Sequence, residues 1–485
     1  MNLKVIIIWT LLVTVAVSAN AFCGFYVARA DAKLFNHQSQ VILVRDGNRT
    51  ILTLSNDFQG DVKDFAMVVP VPVVLKEEDI RVSDRMMFDR FDAYSGPRIV
   101  EYYDQNPCYN YSRYESMPSS TMMREKSISD VVEQENAAQK LGVSIEARYT
   151  IGEYDILILS ARESSGLKTW LTDNGYKIPA SAEEVLDPYI KNNLKFFVVK
   201  VNLDEMQARG FEYLNPIQIS FESDRFMLPI RLGMANAEKE QDLIVYALTR
   251  KGRVESANYR TAKIPTDREI PLFVQNDFGR FYKDLFSKSY KRENRNAVFL
   301  EYAWDVSPRN FVKCDPCVTE PPTVADMKEA GVNWIDSYTN SGDVFFTRLH
   351  VRYTRDKFPE DLLFQVTPNK DQFQARYVTR HPAPGDLSCE NGQKYVQDLT
   401  NRRKKEVDEL AVLTGWRGDG YFDYIYEKAG VEEIREWREQ RNEGPIGIIW
   451  KQLLKKNPLS IPGILFAFFS VLSVGWLVSR SLKKV

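Results

Sequence analysis

The residues best suited to chemistry are Cys314 and Cys317, two thiols held two positions apart in Cys-Asp-Pro-Cys. That spacing suits two kinds of work. In a dithiol oxidoreductase the first cysteine sits at a helix N-terminus, where its thiol pKa is lowered. The flanking residues oppose this, because Pro321 and Pro322 interrupt any helix that would supply the dipole, and Asp315 places a negative charge beside the thiols. A structural disulfide in a rigid loop is the better reading. The second kind of work is metal binding, since Cys-x-x-Cys is a common first half of a zinc site. Cys314, Cys317, His381 and Cys389 supply suitable ligand types, but His381 and Cys389 lie too far apart for a compact second half.

The chain has five cysteines, Cys23, Cys108, Cys314, Cys317 and Cys389, all of them candidates for disulfide or redox roles. Sequence alone does not choose the pairing. The expected pattern is Cys23–Cys108 in the N-terminal region and one bridge among Cys314, Cys317 and Cys389, leaving one thiol over.

Other catalytic signatures are missing. There is no HExxH, no GxSxG and no glycine loop of the phosphate-cradling kind. Only three histidines occur, His37, His350 and His381. His350 sits in the strand-like run FFTRLHVRY and reads as a packed residue rather than a base. No carboxylate pair stands out among 66 acidic residues. No catalytic residue is assigned, no cofactor is implied, and an enzyme is the less favoured class.

Two apolar segments say where these residues are held. Residues 1–21 have the three parts of a secretory signal: Lys4, an apolar run from Val5, and the small-x-small site Ala19-Asn20-Ala21. Bulky Phe22 before Cys23 argues against lipid attachment there. Residues 459–479 carry no charge, are long enough to cross a hydrocarbon layer of ~30 Å, and place Trp476 near one interface. A basic cytoplasmic tail, 480–485, follows. The expected topology is an exported ectodomain held in the cell membrane by one C-terminal transmembrane helix, with the tail in the cytoplasm. Residues 443–458 form a juxtamembrane amphipathic segment whose apolar face could lie in the headgroup plane.

Of 64 basic and 66 acidic residues, four bases and no acid fall in the two apolar ends and the tail. The remainder is mildly acidic, so nucleic acid is not an expected partner. With 24 Tyr and 27 Phe, a large core and many strands are expected.

The expected fold class is α+β, with mixed or mostly antiparallel sheets and packed helices. At ~150 residues per domain, two domains are expected: 22–292, with an insertion at 94–135, and 293–442, which carries the Cys-x-x-Cys. The charged run 287–296 marks the boundary. Alternating runs around Asp46-Gly47 and Gly152 predict hairpins. A third hairpin is expected at Lys251-Gly252, a strand with Pro70 and Pro72 at an edge or strand end, a short helix over Pro359–Phe364, and a long helix over Gly392–Thr414 closed by Gly415.

Several segments, in order, resemble one family: FCGFYVA, FAMVVPVP, GLKTWLTDNGYKIP, EYAWD before CDPC, and FFTRLHVRYT with FPEDLLF. Together they are similar to an uncharacterised bacterial exported family catalogued as a domain of unknown function (DUF2330-like), from about Phe22 to Phe364. The resemblance implies an exported bacterial protein, often with a C-terminal anchor, and supplies no substrate, cofactor or catalytic residue. The expected function is a membrane-tethered binding or scaffolding protein with a possible envelope protein partner. The alternative is thiol–disulfide exchange or metal binding through Cys314 and Cys317.

Overall fold

The computed structural model describes residues 25–26, 39–55, 66–109, 142–174, 182–202, 205, 214–235, 240–309, 320–336, 338–417 and 420–426. Residues 1–21, where a signal peptide is expected, Cys23, His37, Cys314, Cys317, most of the expected 94–135 insertion and everything from 427 onward lie outside these residues. Among the described residues no helix is long and apolar enough to cross a membrane; residues 459–479 are not among them.

Along the chain, β1 (Phe25–Tyr26), β2 (Ser39–Asp46), β3 (Arg49–Leu54), β4 (Ala66–Val71) and β5 (Ile80–Val82) precede α1 (Met86–Ser95) and β6 (Arg98–Tyr103). Next come β7 (Val143–Ile151), β8 (Tyr154–Ala161), α2 (Ser164–Asp173), α3 (Ala182–Lys191), β9 (Lys195–Val201), β10 (Ile217–Glu222), β11 (Met227–Leu228) and β12 (Gln241–Thr249). Then follow β13 (Val254–Ser256), β14 (Arg260–Lys263), β15 (Arg268–Glu269), α4 (Phe278–Arg292), β16 (Ala297–Asp305) and α5 (Val324–Glu329). The described part closes with β17 (Phe345–Tyr353), β18 (Leu362–Val366), β19 (Phe373–Gln374), β20 (Arg376–His381), α6 (Glu390–Thr414) and α7 (Phe422–Tyr426).

The two hairpins with glycine turns form as expected. Asp46 pairs with Arg49 across a two-residue turn whose Gly47 has φ +59°, a conformation glycine adopts at no steric cost. The β7–β8 hairpin turns at Gly152 in the same way. At Pro70, β4 keeps its pairing with β9, while β1 meets β4 only at Met67 and Val68. Among the described residues nothing pairs with Pro70 on its other flank.

The main sheet runs β14-β16-β17-β12-β2-β3-β10-β5, with β19 paired to β16. Most neighbours are antiparallel, but β2–β12 and β14–β16 are parallel. A second sheet runs β1-β4-β9-β8-β7, and β15-β20-β6 forms a small parallel one. The fold is therefore mixed α/β with mixed sheets and seven α-helices among the described residues.

Three expectations are corrected. The boundary at 292/293 falls inside the main sheet, because β16 and β17 join the same sheet as β2, β3 and β12. The charged run at 287–296 mostly continues α4 to Arg292: Ser289 and Tyr290 are buried on it, and Lys291 and Arg292 occupy the last turn, where cations complement the helix dipole. No hairpin forms at Lys251-Gly252, because both flanks of β12 are taken by β17 and β2, so β13 leaves to pair with β18. The helix expected over Pro359–Phe364 is likewise replaced by β18.

Helix α6 ends as the sequence predicts, with Gly415 at φ +84°. Its buried Val407, Leu410 and Leu413 belong to the same apolar cluster as Phe281 and Leu285 of α4. Helix α1 belongs to a second cluster, through Phe88, Phe91 and Tyr94 with Tyr246 and Phe346 of the main sheet.

Candidate functional site

Alternation along β17 puts Arg348, His350 and Arg352 on one face and Leu349 and Val351 on the other. Three basic groups in a row inside a folded protein need counter-charges. They find three carboxylates. Asp242 of β12 takes Arg352 in a two-pronged contact, 2.8 Å to Nε and 2.9 Å to Nη2. Glu301 of β16 accepts Arg348 Nε at 2.7 Å. Asp92 of α1 accepts Arg348 Nη1 at 2.6 Å and the Tyr246 hydroxyl at 2.9 Å.

His350 stands in the middle. Its Nδ1 lies 2.8 Å from Glu301 Oε1 and its Nε2 lies 3.0 Å from Asp242 Oδ1. Phe286 of α4 stacks on the imidazole, with centroids 3.8 Å apart and planes 17° from parallel. The Tyr282 hydroxyl, also from α4, donates to Glu301. Glu301 reaches this position because the β16–β17 register shifts between Leu300 and Tyr302, leaving Glu301 as the extra residue.

With His350 protonated the cluster holds three positive and three negative groups. Burial pulls the imidazole pKa down, but Glu301 and Asp242 outweigh it and leave it above the ordinary 6.5. Burial pushes the Glu301 carboxyl up, while His350 and Arg348 more than offset that and hold it at about 2. Asp242 is also held below its ordinary range: burial opposes this, and His350 and Arg352 prevail. Each ring nitrogen of His350 faces a carboxylate, so the imidazolium donates from both and has no lone pair to act as a base. Chemically the arrangement is a lock joining α1, β12, β16, β17 and α4.

The described cysteines form a second constellation. Strands β6 and β20 are parallel and in register, His381 against Tyr103, so the loops leaving them run side by side. The Asn106 amide donates to the carbonyls of Pro384 and Asp386, at 2.8 and 3.1 Å, and its Oδ1 accepts the Cys108 N–H at 2.8 Å. There Cys108 is joined to Cys389, with Cα atoms 6.0 Å apart and a separation of 281 positions in sequence. Cys389 also caps α6, its sulfur accepting the Gly392 N–H at 3.2 Å.

This overturns the expected Cys23–Cys108 bridge. Nearness in sequence favoured Cys23, whereas the parallel β6–β20 register delivers Cys389. It also takes Cys389 out of the candidate metal set, since a disulfide sulfur offers no thiolate. His381 is engaged elsewhere: its Nε2 lies 2.7 Å from Glu101 Oε2, and Tyr103 stacks on its ring at 4.3 Å. Among the described residues no group of three or more His, Cys, Asp and Glu is arranged to hold a metal ion.

Sequence reasoning placed His350 as a packed residue but missed its partners. Glu301 was the available signal, a lone acid inside the apolar run AVFLEYAWD.

A protein of mixed α/β fold, stapled by a long-range disulfide, is the class these features define. The chain matches the family described as uncharacterized protein conserved in bacteria (DUF2330) over residues 17–365, and it belongs to that family. No curated protein matches it. Among solved structures, a mutated baculovirus p35 after caspase cleavage is similar at 11% identity and a TM-score of 0.22, covering 45% of this chain and 66% of that one. A likeness at that score carries no argument.

Proposed function

We propose that this chain is a membrane-tethered, extracytoplasmic binding or scaffolding protein of the bacterial cell envelope. Residues 1–21 direct export, residues 459–479 anchor the chain, and residues 480–485 stay in the cytoplasm. The observation that carries the reading is the Cys108–Cys389 disulfide, because such bonds persist in exported compartments and are rare in reducing ones. It agrees with the two apolar segments, 1–21 and 459–479. The described histidines, His350 and His381, are both held by carboxylates, which suits a rigid exterior more than acid–base turnover.

The test is cell fractionation with a variant ending at Pro458. The full chain is expected in washed membranes, with its N-terminus at Phe22, and the shortened one in a soluble extracytoplasmic fraction. Recovery of the full chain as a soluble, unprocessed cytosolic protein would overturn the proposal.

A further inference from the structure

A cleft of about 180 Å³ opens beside the end of the β2–β3 hairpin. Its floor is apolar, made by Val44, Ile51 and Gly331. Gly331 has φ +104°, and a Cβ there would lie 2.6 Å from Ile51 Cδ1, so only glycine lets Ile51 fill the floor. Trp334 forms a wall. Its indole N–H donates to the Asp343 carbonyl at 2.8 Å, and the Arg250 guanidinium lies 4.6 Å from its ring centroid. The ring is therefore held in place before any ligand arrives.

The rim is polar. Asp46 accepts two hydrogen bonds from Arg250, both 2.6 Å, which neutralise the pair and leave carboxylate lone pairs free. Asn333, exposed on the rim, has no side-chain hydrogen bond among the described residues, so both its donor and its acceptor are open. Arg49, also exposed, has only the Ser220 hydroxyl at 3.5 Å and no ion-pair partner among the described residues. With Asp46 and Arg250 cancelling, Arg49 leaves the cleft with one net positive charge.

These features set the ligand. It must be small, since sites for drug-sized molecules run to about 300–1,000 Å³. It must present an apolar face to the aliphatic floor, offer hydroxyls that both donate and accept, and carry a negative charge. A zwitterionic amino acid would bring no net charge to meet Arg49. We propose that this cleft binds one sugar ring bearing a carboxylate, an acidic unit of a glycan. The proposal deepens the binding reading above but does not depend on the anchor, which fractionation tests separately.

The experiment titrates purified full-length protein in detergent with D-glucuronate, D-glucose and leucine, using tryptophan fluorescence and saturation-transfer NMR. Glucuronate is expected to bind at least about tenfold more tightly than glucose or leucine, since a charge-assisted contact is at stake. Arg49→Gln and Asn333→Ala change exposed side chains, and thermal melts alongside confirm that both variants fold. Each is expected to weaken glucuronate binding about tenfold. No glucuronate binding, equal binding of glucose, tighter binding of leucine, or an Arg49→Gln variant that binds as well as the parent would each overturn the proposal.

Discussion

Glu301 faces His350 across 2.8 Å only because β16 carries one residue more than β17 at that point. A single irregularity in strand pairing thus turns a carboxylate inward, beneath Tyr282 and Phe286 of α4. The resulting row of alternating charges joins helix to sheet where an apolar core would otherwise be continuous.

Removing one member of the row leaves a buried charge without its partner. Glu301→Gln strips counter-charge from both His350 and Arg348. It is expected to cost about 3–5 kcal/mol, read as a lower urea midpoint with unchanged slope. A loss below about 1 kcal/mol would mean that the row is not the lock described.

The same row sets a pH profile. Glu301 has a folded value of about 2, below the ordinary 4.5, so its contribution is complete above 4.5 and is lost as pH falls toward 2. His350 has a folded value above 6.5, so its contribution is complete below 6.5 and is lost as pH rises through the folded value. Urea unfolding across pH is expected to show greatest stability between these limits. The alkaline decline should flatten in His350→Gln relative to the parent; an unaltered decline would assign it to other groups.

Cys108→Ser or Cys389→Ser opens a loop spanning 281 positions. In the chain-entropy view a closure this long is worth about 5.6 kcal/mol, and measured losses often fall nearer 2–4. Either variant is expected to melt several degrees lower than the parent, and the double variant no lower than each single one. Additive losses in the double variant would contradict the pairing.

With Cys108 and Cys389 joined, Cys314 and Cys317 have only each other and Cys23 as partners within the chain. Alkylation and peptide mapping of the non-reduced protein are expected to show one peptide pair linking Cys108 with Cys389. A bridge from Cys314 or Cys317 to Cys389 would contradict this. A Cys314–Cys317 bond opened by a mild dithiol would favour the exchange chemistry considered for that pair.

Local geometry was the legible part of the fold. Gly47, Gly152 and Gly415 mark turns and a helix end because positive φ leaves a signature in residue type. Pairing between distant segments leaves no such mark. Nothing in β2 announces a parallel partner at β12, and nothing around Cys108 points to Cys389. The run at 287–296 reads as a boundary by composition, yet burial of Ser289 and Tyr290 carries the helix through it as far as Arg292. In the charge row, His350 could be placed inside by alternation, but Asp242 and Glu301 become its partners only through strand order and a register shift.

Protease treatment of spheroplasts carrying a C-terminal epitope after Val485 measures the chain's placement directly. The account predicts that external protease destroys the folded part and leaves a short, membrane-embedded fragment with its epitope intact. An epitope-bearing full-length chain that survives external protease and is released from lysed cells as soluble material would contradict it.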